Sequence, residues 1–255
     1  MNLKSLVKPV AVIVLLVLAA CNNGSNTPEV TAQNVVDRAI ENAGGDAYLN
    51  SSMQFDFRDL SYKNSYKGGT YSLERSREDT TGLTIDIIDN KGFRRLKNGK
   101  FEVVADSMAV KYTNSVNSVH YFARLPFGLN DAAVKKTLLG TDTINDQPYF
   151  EVEVRFAQEG GGVDFQDIFV YWFHAERYSL DYLAYSYETD GGGVRFRKAI
   201  NQRKVSGISF ADYINYKPSN TEVVLSELDD MLESGALAEV SRIELKNIQV
   251  TLNQP

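Results

Sequence analysis

The chain has little cysteine, histidine or proline, and no long apolar run. One cysteine, Cys21, stands among 255 residues, so internal disulfides are excluded and stability must come from the core. Two histidines, His120 and His174, leave a zinc site dependent on carboxylates, and no metal or cofactor site is expected. The apolar run at residues 10–20 is eleven residues long, well short of the ~20 that cross a bilayer. Basic residues are outnumbered 27 to 33, giving a net charge of −6. That balance argues against nucleic acid and against docking on anionic lipid, both of which need Lys and Arg. Only six prolines accompany 14 tyrosines and 13 phenylalanines, a composition that suits half-buried strands.

The N-terminus carries the clearest signal. Lys4 and Lys8 precede the apolar run, which ends in Leu18-Ala19-Ala20-Cys21. A basic start, a short apolar stretch and small residues before a cut site describe an export signal. A cysteine directly after it is what bacterial lipoprotein processing acylates. Residues 1–20 therefore read as a lipoprotein signal peptide. Cys21 reads as the lipidation site, and residues 21–28 as its tether. Acyl chains contribute about 0.8 kcal/mol per buried CH₂, so two or more give stable anchoring. No aspartate follows Cys21 and no acidic run comes after it. These two absences point to the outer membrane, facing the periplasm.

Residues 29–255 read as one domain. Thr27-Pro28-Glu29 has the chemistry of a helix start and Gly44-Gly45 of its stop. Short alternating segments follow: Met53-Phe55-Phe57, Tyr71-Leu73, Leu83-Ile85-Ile87 and Phe150-Val152-Val154, separated by turns such as Asn98-Gly99. Residues 103–121 fit a helix. The apolar loop 122–130 must be packed or cover something. A second-half helix starts at Thr221 and stops at Gly235. Ile243 to Leu252 form the last strand. About ten or eleven antiparallel strands and two or three helices result. Phe169-Tyr171-Phe173 and Ile168-Val170-Trp172 make one strand apolar on both faces, hence covered on both. The fold class is mainly β (α+β): a curved antiparallel sheet or half-open barrel with helices on its concave side.

The runs His120-Tyr-Phe-Ala-Arg-Leu-Pro-Phe-Gly-Leu-Asn-Asp131, Asp181-Tyr-Leu-Ala-Tyr-Ser-Tyr187, Gly192-Gly-Val-Arg-Phe-Arg197 and Gly207-Ile-Ser-Phe-Ala-Asp-Tyr213, with Tyr171-Trp172, resemble an uncharacterised family of Gram-negative lipoproteins. At the level of fold that family is similar to the LolA/LolB lipoprotein carriers and receptors. The resemblance implies a half-open barrel plugged by helices and an acyl-chain ligand. A soluble shuttle lacks an anchor, so Cys21 favours a receptor-like or unrelated lipoprotein.

Chemistry-bearing motifs are sparse. His174-Ala175-Glu176 offers two metal ligands at a common spacing. Asp164, Asp167 and Asp181 could pair for acid–base work on a sugar, but nothing fixes their separation. No serine sits in a nucleophile elbow, and the glycine triplets read as turns. The candidate ligand residues are Phe169, Tyr171, Trp172, Tyr182 and Tyr185, with Arg195 and Arg197 as an anion clamp. The expected function is non-enzymatic binding of a lipid, acyl chain or lipoprotein in a curved-sheet cavity. A hydrolase using a carboxylate and a histidine, or a structural lipoprotein with a filled core, are the alternatives.

Overall fold

A computed structural model describes residues 30–159, 165–188 and 191–253. The signal peptide, Cys21, the tether, Thr27-Pro28-Glu29, Asp164 and the glycines at 160–162 lie outside the described residues. The first helix, α1 (Ala32–Ala43), begins later than the sequence suggested. Thr31 is its cap, its side chain accepting from the Asn34 amide at 3.2 Å, and Gly44 at φ 140° ends it. Its buried stripe is Ala32, Val35, Val36, Ala39 and Ala43. Each fully buried valine contributes roughly 1.5–3 kcal/mol.

Six strands follow as a meander: β1 (Ser51–Phe57), β2 (Leu60–Lys67), β3 (Thr70–Asp79), β4 (Gly82–Asp89), β5 (Gly92–Lys97) and β6 (Lys100–Glu102). The helix α2 (Asp106–Ala123) then crosses back. The second meander is β7 (Val134–Ile144), β8 (Gln147–Phe156), β9 (Ile168–His174), β10 (Leu180–Tyr187), β11 (Gly193–Val205), β12 (Ile208–Lys217) and β13 (Ala238–Ile243). The short α3 (Leu228–Glu233) precedes β13, and β14 (Lys246–Leu252) ends the fold. The sheets run β14-β1-β2-β3-β4-β5-β6 and β13-β12-β11-β10-β9-β8-β7, all antiparallel where paired. Neither closes on itself, so the fold is an open, half-barrel-like antiparallel β structure.

The strand count exceeds the ten or eleven expected, because β2, β7 and a division of the last strand leave little pattern in the sequence. Ile243 to Leu252 is two strands, one in each sheet. At the break, backbone pairing is replaced by side chains. Asp212 accepts from the Leu245 amide at 2.9 Å, and Arg203 donates to the Leu245 carbonyl at 2.7 Å. Arg203 also pairs with Asp212 at 3.0 Å. A bulge in β11 between Ile200 and Arg203 aims them.

One core occupies the face that both sheets share. It joins α1, the end of α2, Met53, Phe55, Val152, Tyr171, Leu183, Ile208 and Leu245. The loop after α2 is packed, as expected: Leu129 is fully buried, and Lys136 donates to its carbonyl at 2.7 Å. A second core lies on the opposite face of the second sheet, where Trp172, Tyr182, Phe196 and Ile144 meet Leu228 of α3. The short α3 therefore packs on the face of the second sheet opposite α1. That helix is also shorter than expected. Asn220 takes the Glu222 amide in a local turn, and the branched Val223-Val224 disfavours helix.

Candidate ligand cavity

A cavity of about 600 Å³ opens between the second half of α2 and both sheets. That is within the range of small-molecule sites, about 300–1,000 Å³. From α2 come Ser118, Tyr121 and Phe122; from the β1–β2 corner, Phe57, Arg58 and Tyr62; from the second sheet, Phe156, Phe169, Tyr185, Arg197 and Asn215. The aromatic walls are continuous. Tyr121 meets Phe156 at 6.3 Å, Phe156 meets Phe169 at 5.8 Å, and Phe169 stacks on Tyr185 at 5.4 Å between centroids. Arg197 closes the ring, its guanidinium 5.0 Å from Tyr185 and 5.4 Å from Phe122. Such contacts are worth about 0.5–2 kcal/mol.

α2 is held over the cavity from one side. Arg75 on β3 donates to Ser115 at 2.7 Å and to Asp86 at 2.6 Å. Arg95 meets the same carboxylate at 2.6 Å and lies 3.8 Å from the Tyr112 ring centroid. His120 fixes the helix end. Its Nε2 lies 3.0 Å from the Glu74 carbonyl, and its Nδ1 lies 3.4 Å from the Asn64 amide nitrogen. Burial pushes the imidazole down to about 4, so it is neutral. Burial raises the phenols of Tyr121 in the wall and Tyr171 behind it, which also act on one another's ionisation.

Of the seven candidate ligand residues, Phe169, Tyr185 and Arg197 line this cavity. Tyr171 shares their face but is wholly buried in the core. Trp172 and Tyr182 belong to the core on the other face, so they are corrected to packing residues. Arg195 lies over Tyr187, 5.3 Å from its ring centroid, with Nη1 on the Val194 carbonyl. Sequence reasoning missed Asn215 and Ser241. Their only signal is cross-strand register, which pairs Arg197 with Asn215 and Asn215 with Ser241.

The other candidates serve the fold. His174 Nδ1 accepts from the Glu176 and Arg177 amides, capping the β9–β10 turn. Asp181 takes the Tyr149 hydroxyl and the Gln202 amide. Asp167 lines the cavity. Among the described residues, no three His, Cys, Asp or Glu side chains are arranged to hold a metal.

The architecture is thus an open antiparallel half-barrel with helices on its inner face and a cavity beside one of them. The sequence matches the Family of unknown function (DUF6503) over residues 11–245, and the chain belongs to that family. This agrees with the uncharacterised family that the sequence resembles. No curated protein matches the chain in sequence. Among solved structures it is similar to a LolA superfamily protein from Nitrosomonas europaea, with 11% identity, TM-score 0.49 and coverage of 89% of this chain and 96% of that one. It is also similar to a domain assigned to outer membrane lipoprotein sorting from Vibrio parahaemolyticus, with 8% identity, TM-score 0.45 and coverage of 86% and 93%. A DUF1329 family protein from Desulfovibrio piger shows 11% identity, TM-score 0.39 and coverage of 86% and 92%. At these scores the likenesses locate neither a site nor a ligand on this chain.

Proposed function

We propose that the protein is a non-enzymatic binder of an amphiphile, whose alkyl part occupies the α2 cavity. The aromatic collar around about 600 Å³ carries this reading. Alkyl surface entering it gains roughly 25 cal/mol per Å² removed from water. In this reading the chain is exported, anchored through acylated Cys21 in the outer membrane and faces the periplasm. The hydrolase alternative gains no support from the histidines, since the hydrogen-bond partners of His120 and His174 are amides and backbone groups. The test is native mass spectrometry of protein extracted from membranes, with lipids of the anchor accounted for by a Cys21→Ser variant. A co-purifying amphiphile near one per chain is expected. Protein that emerges empty, and that fails to take up an added C16 amphiphile, overturns the reading.

A further inference from the structure

The cavity's polar atoms specify the head group. Arg197 on β11, Asn215 on β12 and Ser241 on β13 stand opposite one another in register, forming a polar row across the second sheet's wall of the cavity. Asn215 donates to Ser241 Oγ at 3.2 Å. Arg197 donates through Nη2 to the Tyr185 hydroxyl at 2.8 Å and is flanked by the Phe122 and Tyr185 rings. These contacts hold the guanidinium in one pose. They leave Arg197 Nε and Asn215 Oδ1 buried with no hydrogen-bond partner. Buried polar groups in this condition call for an explanation.

The charges point the same way. Among the described residues three arginines line the cavity, Arg58, Arg75 and Arg197, against one carboxylate, Asp167. Arg75 is already committed to Asp86. None of the ion pairs among the described residues includes Arg197. An alkyl chain gives an N–H nothing to donate to, and a hydroxyl brings no charge. A carboxylate gives a charge-assisted acceptor. Turning the Asn215 amide by 180° would pair its oxygen with the Ser241 hydroxyl proton and free its NH₂ as a donor, with no hydrogen bond lost.

Resting on the amphiphile reading, we propose that the ligand is a carboxylate-headed amphiphile bound head-inward, its carboxylate on Arg197 and Asn215. The test compares dodecanoate with dodecan-1-ol, equal in chain length, by calorimetry on the delipidated full chain, below the acid's micellisation concentration and the alcohol's solubility limit. The unaltered protein is expected to prefer the acid at least tenfold. Arg197→Met, which keeps an unbranched apolar stem, should weaken the acid at least tenfold and the alcohol less than threefold. Asn215→Asp sets a like charge beside the carboxylate and should lose the acid selectively; it decides the matter should Arg197→Met not fold. Equal affinity for the two probes, or equal loss of both in a folded variant, overturns the head-inward proposal while leaving the amphiphile reading standing. Failure of both probes to bind the unaltered protein overturns the two together.

Discussion

Tyr171 and Trp172 are neighbours on β9, and both are fully buried, yet they lie against different material. Tyr171 points to the inner face, into the core shared by both sheets and α1. Trp172 points outward, 5.5 Å from the Phe196 ring and under a cover that includes Leu225, Leu228 and Met231. An apolar strand pattern on both faces therefore reports two covers. It does not report a hollow. On the outer side the chain's own segment around α3 supplies the cover. The space for a ligand lies on the inner side, where α2 crosses the sheets and part-exposed Phe169 and Tyr185 stand at the margin.

The sharpest test of that difference is truncation on each side. Trp172→Ala should cost about 3–5 kcal/mol, the range for a large buried aromatic. Phe169→Ala, already beside open space, should cost less than half as much. Urea unfolding of both variants measures it, and equal losses would show the inner cavity to be solid packing. The junction between sheets comes next. Asp212→Ala removes the partner of Arg203 and of the Leu245 amide. Breaking a buried pair costs about 3–5 kcal/mol, and the part exposure of Arg203 reduces this to ~2 kcal/mol. A variant as stable as the parent would mean the break between β13 and β14 needs no side-chain support.

The outer face carries buried carboxyls. Asp229 of α3 is buried beside another carboxyl, Asp142. Burial, and then Asp142, hold it above the ordinary carboxylate range. Burial, and then Asp142, likewise push Glu151 up to about 7. A carboxyl whose folded pKa exceeds its unfolded value favours the folded state at low pH. That contribution is whole below about 4 and is lost as pH rises through about 7. Asp229→Asn should therefore raise stability by ~1 kcal/mol at pH 8 and by little at pH 4. Thermal melts across that range read the effect, and a gain of equal size at both ends would sink the explanation. The smallest effect belongs to the free edge of the first sheet. Phe101 is 75% exposed, so Phe101→Ser should shift stability by less than about 0.5 kcal/mol.

Much of this fold was legible in local pattern. The parity of residues 168–173 gave both faces of β9, the turn at Asn98-Gly99 gave a hairpin, and the helix over residues 103–121 is α2. What escaped had a weak pattern for a physical reason. β2 buries Asn64 among its tyrosines, because that amide is committed to His120, so its alternation is not an apolar one. β7 alternates only between half-buried and exposed positions along most of its length. The divided last strand did leave a trace. Ile243 and Leu245 are odd-numbered, while Ile248, Val250 and Leu252 are even, and such a slip of parity marks a break in a strand. At the cavity, Phe169, Tyr185 and Arg197 could be named from sequence because aromatic strands and paired arginines are visible locally. Asn215 and Ser241 could not, because a polar residue on a strand is ordinary until register sets it beside an arginine.

The joint between β13 and β14 has a consequence for how the molecule comes into being. Ser51, near the start of the described chain, pairs with Leu252, near its end. The first sheet gains its last strand, and the second sheet its edge, only when residues 238–252 arrive. Contacts so distant along the chain slow folding, because the intervening loop must close first. Residues 238–252 are the piece that both halves await. Without them two unfinished rims would stand exposed at once, each a template for another chain's strand.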